Sequence, residues 1–260
     1  MTTTTKRREM DLPTIVTRSE QDRAKLAAGH YAAQTYVFDG GKIGLGSGTT
    51  SHYFVRALAE RLRMENLDII CAVTSRSTHD LALKLGVPSA ELDEIGRLDV
   101  CVDGPDEIDA EGSMIKGGGA CLLWEKLVAR NSDKVVIVAD ELKAVDILGA
   151  FPLPIEIIQF SWNTTAQAIR RLLVEYGYAE DTVIYRRERD GQPVITDNGN
   201  YIVDVKLGEA RSIRELTVAL NQIPGVVENG FFVDIAHEVV FGRPDGMAEV
   251  HTFPYLLDSK

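Results

Sequence analysis

The sequence predicts an α/β protein: a Rossmann-like parallel-sheet domain with an inserted, smaller α+β domain of ferredoxin-like plan. Three observations predict it. Up to residue 140, short apolar runs alternate four times with helical stretches, the pattern of a parallel sheet wrapped by helices. One of those runs, LDIICAVT, is nearly continuously apolar, as expected of a strand covered on both faces. After FPLPIEIIQF the order changes to strand-helix-strand-strand-helix-strand. The expected division is a disordered polar arm over 1–16, a catalytic domain from 17–150 plus 231–260, and the ferredoxin-like domain over 151–230.

In order, TRSEQDRAKLAAGHYAAQTYV reads as a helix, with Thr17 and Glu20 as a capping box and Leu26, His30, Ala33 and Val37 at helical spacing. GKIGLG is a short strand. TTSHYFVRALAERLR is a helix with Phe54, Leu58 and Leu62 on one stripe, and THDLALKLG a helix ending at Gly86. RLDVCVDG is a strand and ACLLWEKLVARN a helix that precedes KVVIVAD. In the second unit come NTTAQAIRRLLVEYG as helix, TVIYRRE as strand and a polar turn at Asn198-Gly199. NYIVDVKL as strand, SIRELTVALNQI as helix and GVVENGFF as strand complete it. The apolar tail DIAHEVVFG is expected to return to the first sheet, which makes the second unit an insertion.

Composition narrows the function. A formal net charge of −11 opposes general nucleic-acid binding, which depends on neutralising phosphates. A small anionic substrate remains compatible, because a local pocket can oppose the global sign. Cys71, Cys101 and Cys121 show no CxxC spacing and read as buried free thiols of a reducing cytoplasm. The five histidines form no HExxH or HxH pair, so no metal site is expected. No apolar run reaches the roughly 18 residues of a membrane span, and Arg7-Arg8 lacks the apolar segment of an export signal.

GLGSGTT, residues 44–50, joins a strand to a helix. Glycines allow close backbone approach, a helix start offers N–H groups, and Ser47, Thr49 and Thr50 add hydroxyls. This suits a phosphate; a purely structural tight turn is the alternative. No GK[ST] follows, and Thr49 stands where a dinucleotide fingerprint needs its third glycine.

The run VDGPDEIDAEG crowds five carboxylates into nine positions. Asp103 and Asp106 follow a strand and are expected at its carboxyl end, where ligands of open parallel sheets bind. A calcium loop is excluded, because the twelfth position from Asp103 is Met114 and the sixth is Ile108. Glu107, Asp109 and Glu111 read as a solvated acidic turn. Lys116 then precedes Gly117, Gly118 and Gly119 and a helix expected from about Ala120. A cation beside outward N–H groups can stabilise an oxyanion. Glu125, expected about two turns into that helix, is a candidate base if half-buried and an ordinary helix glutamate if exposed. Proton transfer on a phosphorylated sugar is the simplest chemistry that uses all these groups.

GLGSGTT, VDGPDEID, MIKGGGACLLWEK, VIVADELKAVDILGAFPLPIEII, VITDNGNYIVDV and IPGVVENGFF occur in the order and rough spacing of type A ribose-5-phosphate isomerases. The chain resembles that family over about residues 20–247. The resemblance implies interconversion of D-ribose 5-phosphate and D-ribulose 5-phosphate in the pentose phosphate pathway, with no metal and no other cofactor. It implies a cytoplasmic homodimer or homotetramer acting on a small sugar phosphate. Carried over by motif, Ser47, Gly48, Thr49 and Thr50 hold substrate. Asp103, Gly104, Pro105 and Asp106 form the acidic loop, with Pro105 in place of a common alanine. Lys116, Gly117, Gly118 and Gly119 form the second glycine loop. Glu125 is the proton acceptor and Lys143 a further substrate contact. The family offers the phosphate a lysine near Leu26; Lys25 is close to that position and is left outside the site. The long arm and the ending MAEVHTFPYLLDSK depart from the family pattern. A sugar-phosphate sensor, a related transferase and an amino-sugar-phosphate deaminase are the rival readings. The sensor would need no base at Glu125, and only the deaminase would release ammonia.

Overall fold

Helix α1 (Glu20–Tyr36) begins at Ser19, whose hydroxyl accepts the Asp22 N–H at 3.0 Å. The computed structural model describes residues 19–253, so Thr17 and the 1–16 arm lie outside the described residues, as does the tail from 254 onward. After α1 come β1 (Lys42–Leu45), α2 (Gly48–Met64), β2 (Ile70–Val73), α3 (Arg76–Leu85), a short α4 (Leu92–Ile95) and β3 (Leu98–Asp103). Then follow β4 (Glu107–Ile108), β5 (Met114–Ile115), α5 (Leu122–Arg130), β6 (Ser132–Asp140) and a 3-10 turn, Glu141–Lys143. The chain continues with β7 (Leu153–Ile157), α6 (Trp162–Glu175), β8 (Ile184–Arg186), a hairpin of β9 (Glu188–Arg189) and β10 (Gln192–Pro193), and β11 (Tyr201–Val205). It closes with α7 (Ile213–Asn221), β12 (Val226–Asn229), β13 (Phe231–Phe232), β14 (Glu238–Gly242) and β15 (Ala248–Thr252).

The chain splits into two compact units. One takes the chain through Pro105, Trp124–Ala144 and the part from Asp234 on; the other takes Asp106–Leu123 and Val145–Val233. The first unit holds a six-stranded sheet in the order β15-β14-β6-β3-β1-β2. All its pairings are parallel except β14 with β15. The chain moves outward from β1 to β2, then resumes on the other side at β3. The loops after β1 and β3 therefore diverge and leave a crevice at the carboxyl ends of those strands. The expected return of DIAHEVVFG is β14, parallel to β6; β15 adds an edge strand not read from the sequence. Ile43, Leu45, Val100, Val102, Val136, Val138 and Val240 pack with Phe54, Leu58 and Ala28. Full burial of each large side chain contributes roughly 1.5–3 kcal/mol. Gly242 lets α1 lie against β14, since a Cβ there would stand 1.9 Å from the Ala24 carbonyl oxygen.

The second unit holds a four-stranded antiparallel sheet in the order β12-β7-β11-β8. With α6 after β7 and α7 after β11, this is the ferredoxin-like plan. Ile155, Ile157, Val203 and Val205 pack with Ile169 and Leu173 of α6 and Leu216 and Leu220 of α7. Two expectations change here. GVVENGFF is two strands: β12 pairs with β7, whereas β13 pairs with β5 in a three-stranded sheet, β13-β5-β4. The break is Gly230, where a Cβ would lie 2.5 Å from the Lys116 carbonyl oxygen and 2.7 Å from Pro154. The same three-stranded sheet places 106–123 with the second unit, although it was expected with the parallel sheet. No helix among the described residues is long and apolar enough to cross a membrane.

Candidate active site

Strand β1 runs directly into the first glycine loop. Its three glycines serve different ends. A Cβ on Gly44 would come within 2.8 Å of Val128 in α5, and one on Gly46 within 2.1 Å of Asp103 Oδ1. Gly48 takes φ +88° at the start of α2, with open space around it. Two of the three thus admit protein, and the loop is drawn onto the end of β3. Asp103 Oδ1 accepts the Ser47 N–H at 2.9 Å, the Ser51 hydroxyl at 3.0 Å and the Gly104 N–H at 2.8 Å.

Ser47, expected to hold substrate, is occupied elsewhere. Besides its N–H on Asp103, its hydroxyl lies 2.7 Å from both Thr74 Oγ1 and Ser75 Oγ and 3.2 Å from Thr78 Oγ1. The serine fits this buried hydroxyl cluster because β2 ends beside β1. Gly48 and Thr49 are exposed at the helix start, and Thr50 is buried. Lys25, outside the expected site, belongs to this group: its Nζ lies 3.2 Å from Thr49 Oγ1. Helices α1 and α2 pack side by side, because Gly29 allows the backbone of Tyr53 and Phe54 to approach. That packing was not legible from spacing within α1 alone. Together Lys25, the Thr49 hydroxyl and the first N–H groups of α2 form a cradle suited to an anion.

Glu125 is buried, 5% exposed, in the first turn of α5 rather than two turns in, because the helix starts at Leu122. Its position follows from the strands. Leu98, the first residue of β3, donates its N–H to the Asn131 carbonyl at 2.9 Å, so α5 ends at the amino ends of the strands. The helix therefore begins at their carboxyl ends. Val128, which faces Gly44, is three residues after Glu125, and residues so spaced share a helix face. Glu125 thus faces the sheet about one turn closer to the crevice than Gly44. Lys143, half-buried, ends the turn after β6, which Asp140 caps by accepting the Leu142 N–H at 3.2 Å.

In the second unit Lys116 is buried, with its ammonium 5.4 Å from the centre of the Phe232 ring. Its backbone N–H reaches the Gly230 carbonyl at 2.9 Å. Gly117 has φ +103°, and the Ala120 N–H closes a turn onto its carbonyl at 2.9 Å. Asp106, expected to orient a substrate hydroxyl or the lysine, accepts the Gly118 N–H at 2.7 Å. A Cβ on Gly118 would meet that carboxylate at 2.5 Å. The Gly118 N–H is therefore a structural donor, not an oxyanion donor. Glu107 corrects the solvated-turn reading: it is buried and accepts the N–H groups of Gly149, at 2.7 Å, and Phe151. Asp109 caps its own turn by accepting from Ser113 at 2.8 Å and Glu111 at 3.1 Å; only Glu111 is exposed. Pro105 is buried and Gly104 half-buried. Cys121 is half-buried, unlike buried Cys71 and Cys101.

The family model described as ribose 5-phosphate isomerase A (phosphoriboisomerase A) matches residues 70–246. A ribose-5-phosphate isomerase A of Yersinia pseudotuberculosis is 46% identical over 233 residues, 89% of this chain and 98% of that protein. A ribose 5-phosphate isomerase structure from Plasmodium falciparum superimposes with a TM-score of 0.85 at 32% identity, over 90% of this chain and all of that one. A D-ribose-5-phosphate isomerase in complex with phospho-erythronic acid superimposes with a TM-score of 0.80 at 35% identity, with the same coverage. The chain belongs to the ribose 5-phosphate isomerase A family.

Proposed function

We infer that the chain interconverts D-ribose 5-phosphate and D-ribulose 5-phosphate, the activity of its family, as an enzyme of the pentose phosphate pathway. Glu125 is the base. The observation that carries this is a buried carboxylate on the sheet-facing side of α5, displaced toward the crevice beside Asp103. The phosphate rests on Gly48, Thr49, Thr50 and Lys25. Asp103, buried at the end of β3 beside the first loop, moves the ring-opening proton. The solved complex with phospho-erythronic acid, a phosphorylated sugar acid, supports a substrate of this class.

In the open aldose, Glu125 removes the C2 proton. The C–H electron pair forms the C1=C2 bond, and the carbonyl pair moves to O1, giving a cis-enediolate. The hydroxyl proton of O2 transfers to O1, and Glu125 returns its proton to C1, which leaves the ketone at C2. One carboxylate on one face serves both carbons. Lys116 and the Gly119 N–H meet the charge on oxygen, with Gly104, Pro105, Gly117 and Lys143 shaping the sugar site. General base catalysis is typically worth about 10²–10⁴-fold. Glu125→Gln keeps the shape and removes the base. It is expected to abolish turnover while ribose 5-phosphate still binds in calorimetry; retention of more than about a hundredth of kcat rejects the role. By the same family likeness the protein acts in the cytoplasm as a homodimer or homotetramer, which sedimentation equilibrium would read directly.

A further inference from the structure

The second glycine loop is gripped by a side chain far away in the sequence. Arg187 follows β8, and its guanidinium is engaged on two sides. Nε bonds Asp204 Oδ2 at 2.7 Å and Nη2 bonds Asp204 Oδ1; Nη1 donates to the Gly117 carbonyl at 2.8 Å and to the Gly118 carbonyl at 2.9 Å. Both side chains are largely buried, 14% and 5% exposed. The arginine backbone is also fixed, since its N–H reaches the Ile202 carbonyl at 2.8 Å and its carbonyl accepts the Val194 N–H at 3.0 Å.

Peptide geometry converts these contacts into a direction. Peptide units are planar, and none among the described residues is cis, so a carbonyl and the N–H that follows it point opposite ways. The unit between Gly117 and Gly118 is held at both ends, by Arg187 on its oxygen and by Asp106 on its N–H. The unit between Gly118 and Gly119 is held by Arg187 at its oxygen, which turns the Gly119 N–H away from the guanidinium. A cation on that oxygen also polarises the peptide and strengthens its N–H as a donor.

We propose that Arg187, fixed by Asp204, is a positioning residue of the isomerisation: it aims and polarises the Gly119 N–H that receives negative charge from the enediolate. This rests on the reading of Lys116–Gly119 as the donor loop. Lysine cannot replace it, because one ammonium cannot bridge a carboxylate side-on and two carbonyls at once.

The test compares Arg187→Lys, Arg187→Ala, Asp204→Asn and Lys116→Met by kcat, KM, thermal midpoint and the isotope effect with C2-deuterated ribose 5-phosphate. Loss of one oxyanion donor costs roughly 10²–10³-fold, so Arg187→Lys is expected to lower kcat by about 10²-fold with KM within about threefold. The isotope effect should rise, and Asp204→Asn should move kcat in the same direction. Methylguanidinium should restore kcat of Arg187→Ala about tenfold or more; if that variant does not fold, the lysine and asparagine variants decide. A kcat of Arg187→Lys within about threefold of the parent overturns the proposal, as does a loss that follows thermal midpoint alone and is unmoved by isotope. Parent-like kcat in Lys116→Met overturns the donor-loop reading as well. Loss in Lys116→Met beside parent-like Arg187→Lys leaves that reading standing and removes only Arg187.

Discussion

The Ser47 N–H donates to Asp103 Oδ1 at 2.9 Å, tying the loop after β1 to the end of β3. Gly46 makes the tie possible. A Cβ there would lie 2.1 Å from that oxygen and 2.5 Å from the Asp103 Cα, and backbone cannot yield. Gly46→Ala is therefore expected to push the two strand ends apart. Overpacking of this kind typically costs about 1–3 kcal/mol, and here KM should rise with it, because Gly48 and Thr49 follow directly. Urea denaturation and steady-state kinetics on one preparation check both effects. Parent stability with parent KM would show that the tie does not shape the phosphate loop.

Lys25 approaches the Thr49 hydroxyl at 3.2 Å from a neighbouring helix. An ammonium at an anion cradle binds the phosphate by a charge-assisted contact worth roughly 1.5–3 kcal/mol. Lys25→Met is expected to raise KM about tenfold or more at low ionic strength, with kcat nearly unchanged. Thr49→Ala should raise KM less, since it removes a neutral donor. The difference between parent and Lys25→Met should shrink as salt is added. A KM that ignores both substitutions at every ionic strength would place the phosphate elsewhere.

Much of the fold was legible because strand and helix periods differ and the turns carry their own residues. The Gly86 cap of α3, with φ +72°, lies where the sequence predicts a helix end. The placements of Asp103 at a strand end and Glu125 near a helix start were legible because position relative to a strand and a helix start is local. What the sequence hid was the destination of each carboxylate. Asp103 and Asp106 read as ligand-site acids and Glu107 as part of a solvated turn, yet all three receive backbone N–H groups from different loops. Those partners lie 12 to 56 residues away, and no local pattern encodes them. Ser47 shows the same limit, since its hydroxyl answers to Thr74 and Ser75, which only the pairing of β1 with β2 brings near. Lys25 and Arg187 were hidden for that reason too.

Two histidines of α1 and α2 give folding stability a pH dependence. Burial holds His30 below its ordinary value of 6.5; Glu60 opposes this and Arg61 adds to it. Burial also holds His52 below 6.5, helped by Arg56 and opposed by Asp103. Below about pH 6.5 the unfolded chain takes up protons that the folded chain refuses, so stability falls as pH falls through that value. The decline levels off below the folded pKa values, and above 6.5 these groups contribute no slope. Urea midpoints between pH 5.5 and 7.5 (about one unit either side of the free imidazole value) should show it. His30→Gln and His52→Gln should each flatten the slope. A slope of opposite sign, or one untouched by both variants, would assign the pH response to other groups.

Glu107 holds backbone, and its role can be separated by experiment from those proposed for Asp103 and Asp106. Its carboxylate accepts two backbone N–H groups, from Gly149 and Phe151, in the loop that follows the 3-10 turn. Gln in its place keeps the volume but turns one acceptor into a donor facing a donor. A buried backbone N–H then loses its partner, at a cost of about 1–3 kcal/mol. For a chain of this length each kcal/mol shifts the melting point by about 2–4 °C, so Glu107→Gln should melt roughly 2–12 °C lower. Asp106, the preceding residue, holds the Gly118 N–H, and Asp106→Asn should lower kcat instead, by loosening the second glycine loop. Measured well below both transitions, Glu107→Gln should turn over at the parental rate and Asp106→Asn should not. If Glu107→Gln loses turnover at parental melting temperature, its carboxylate acts on substrate and the assignment of adjacent acids must be reversed.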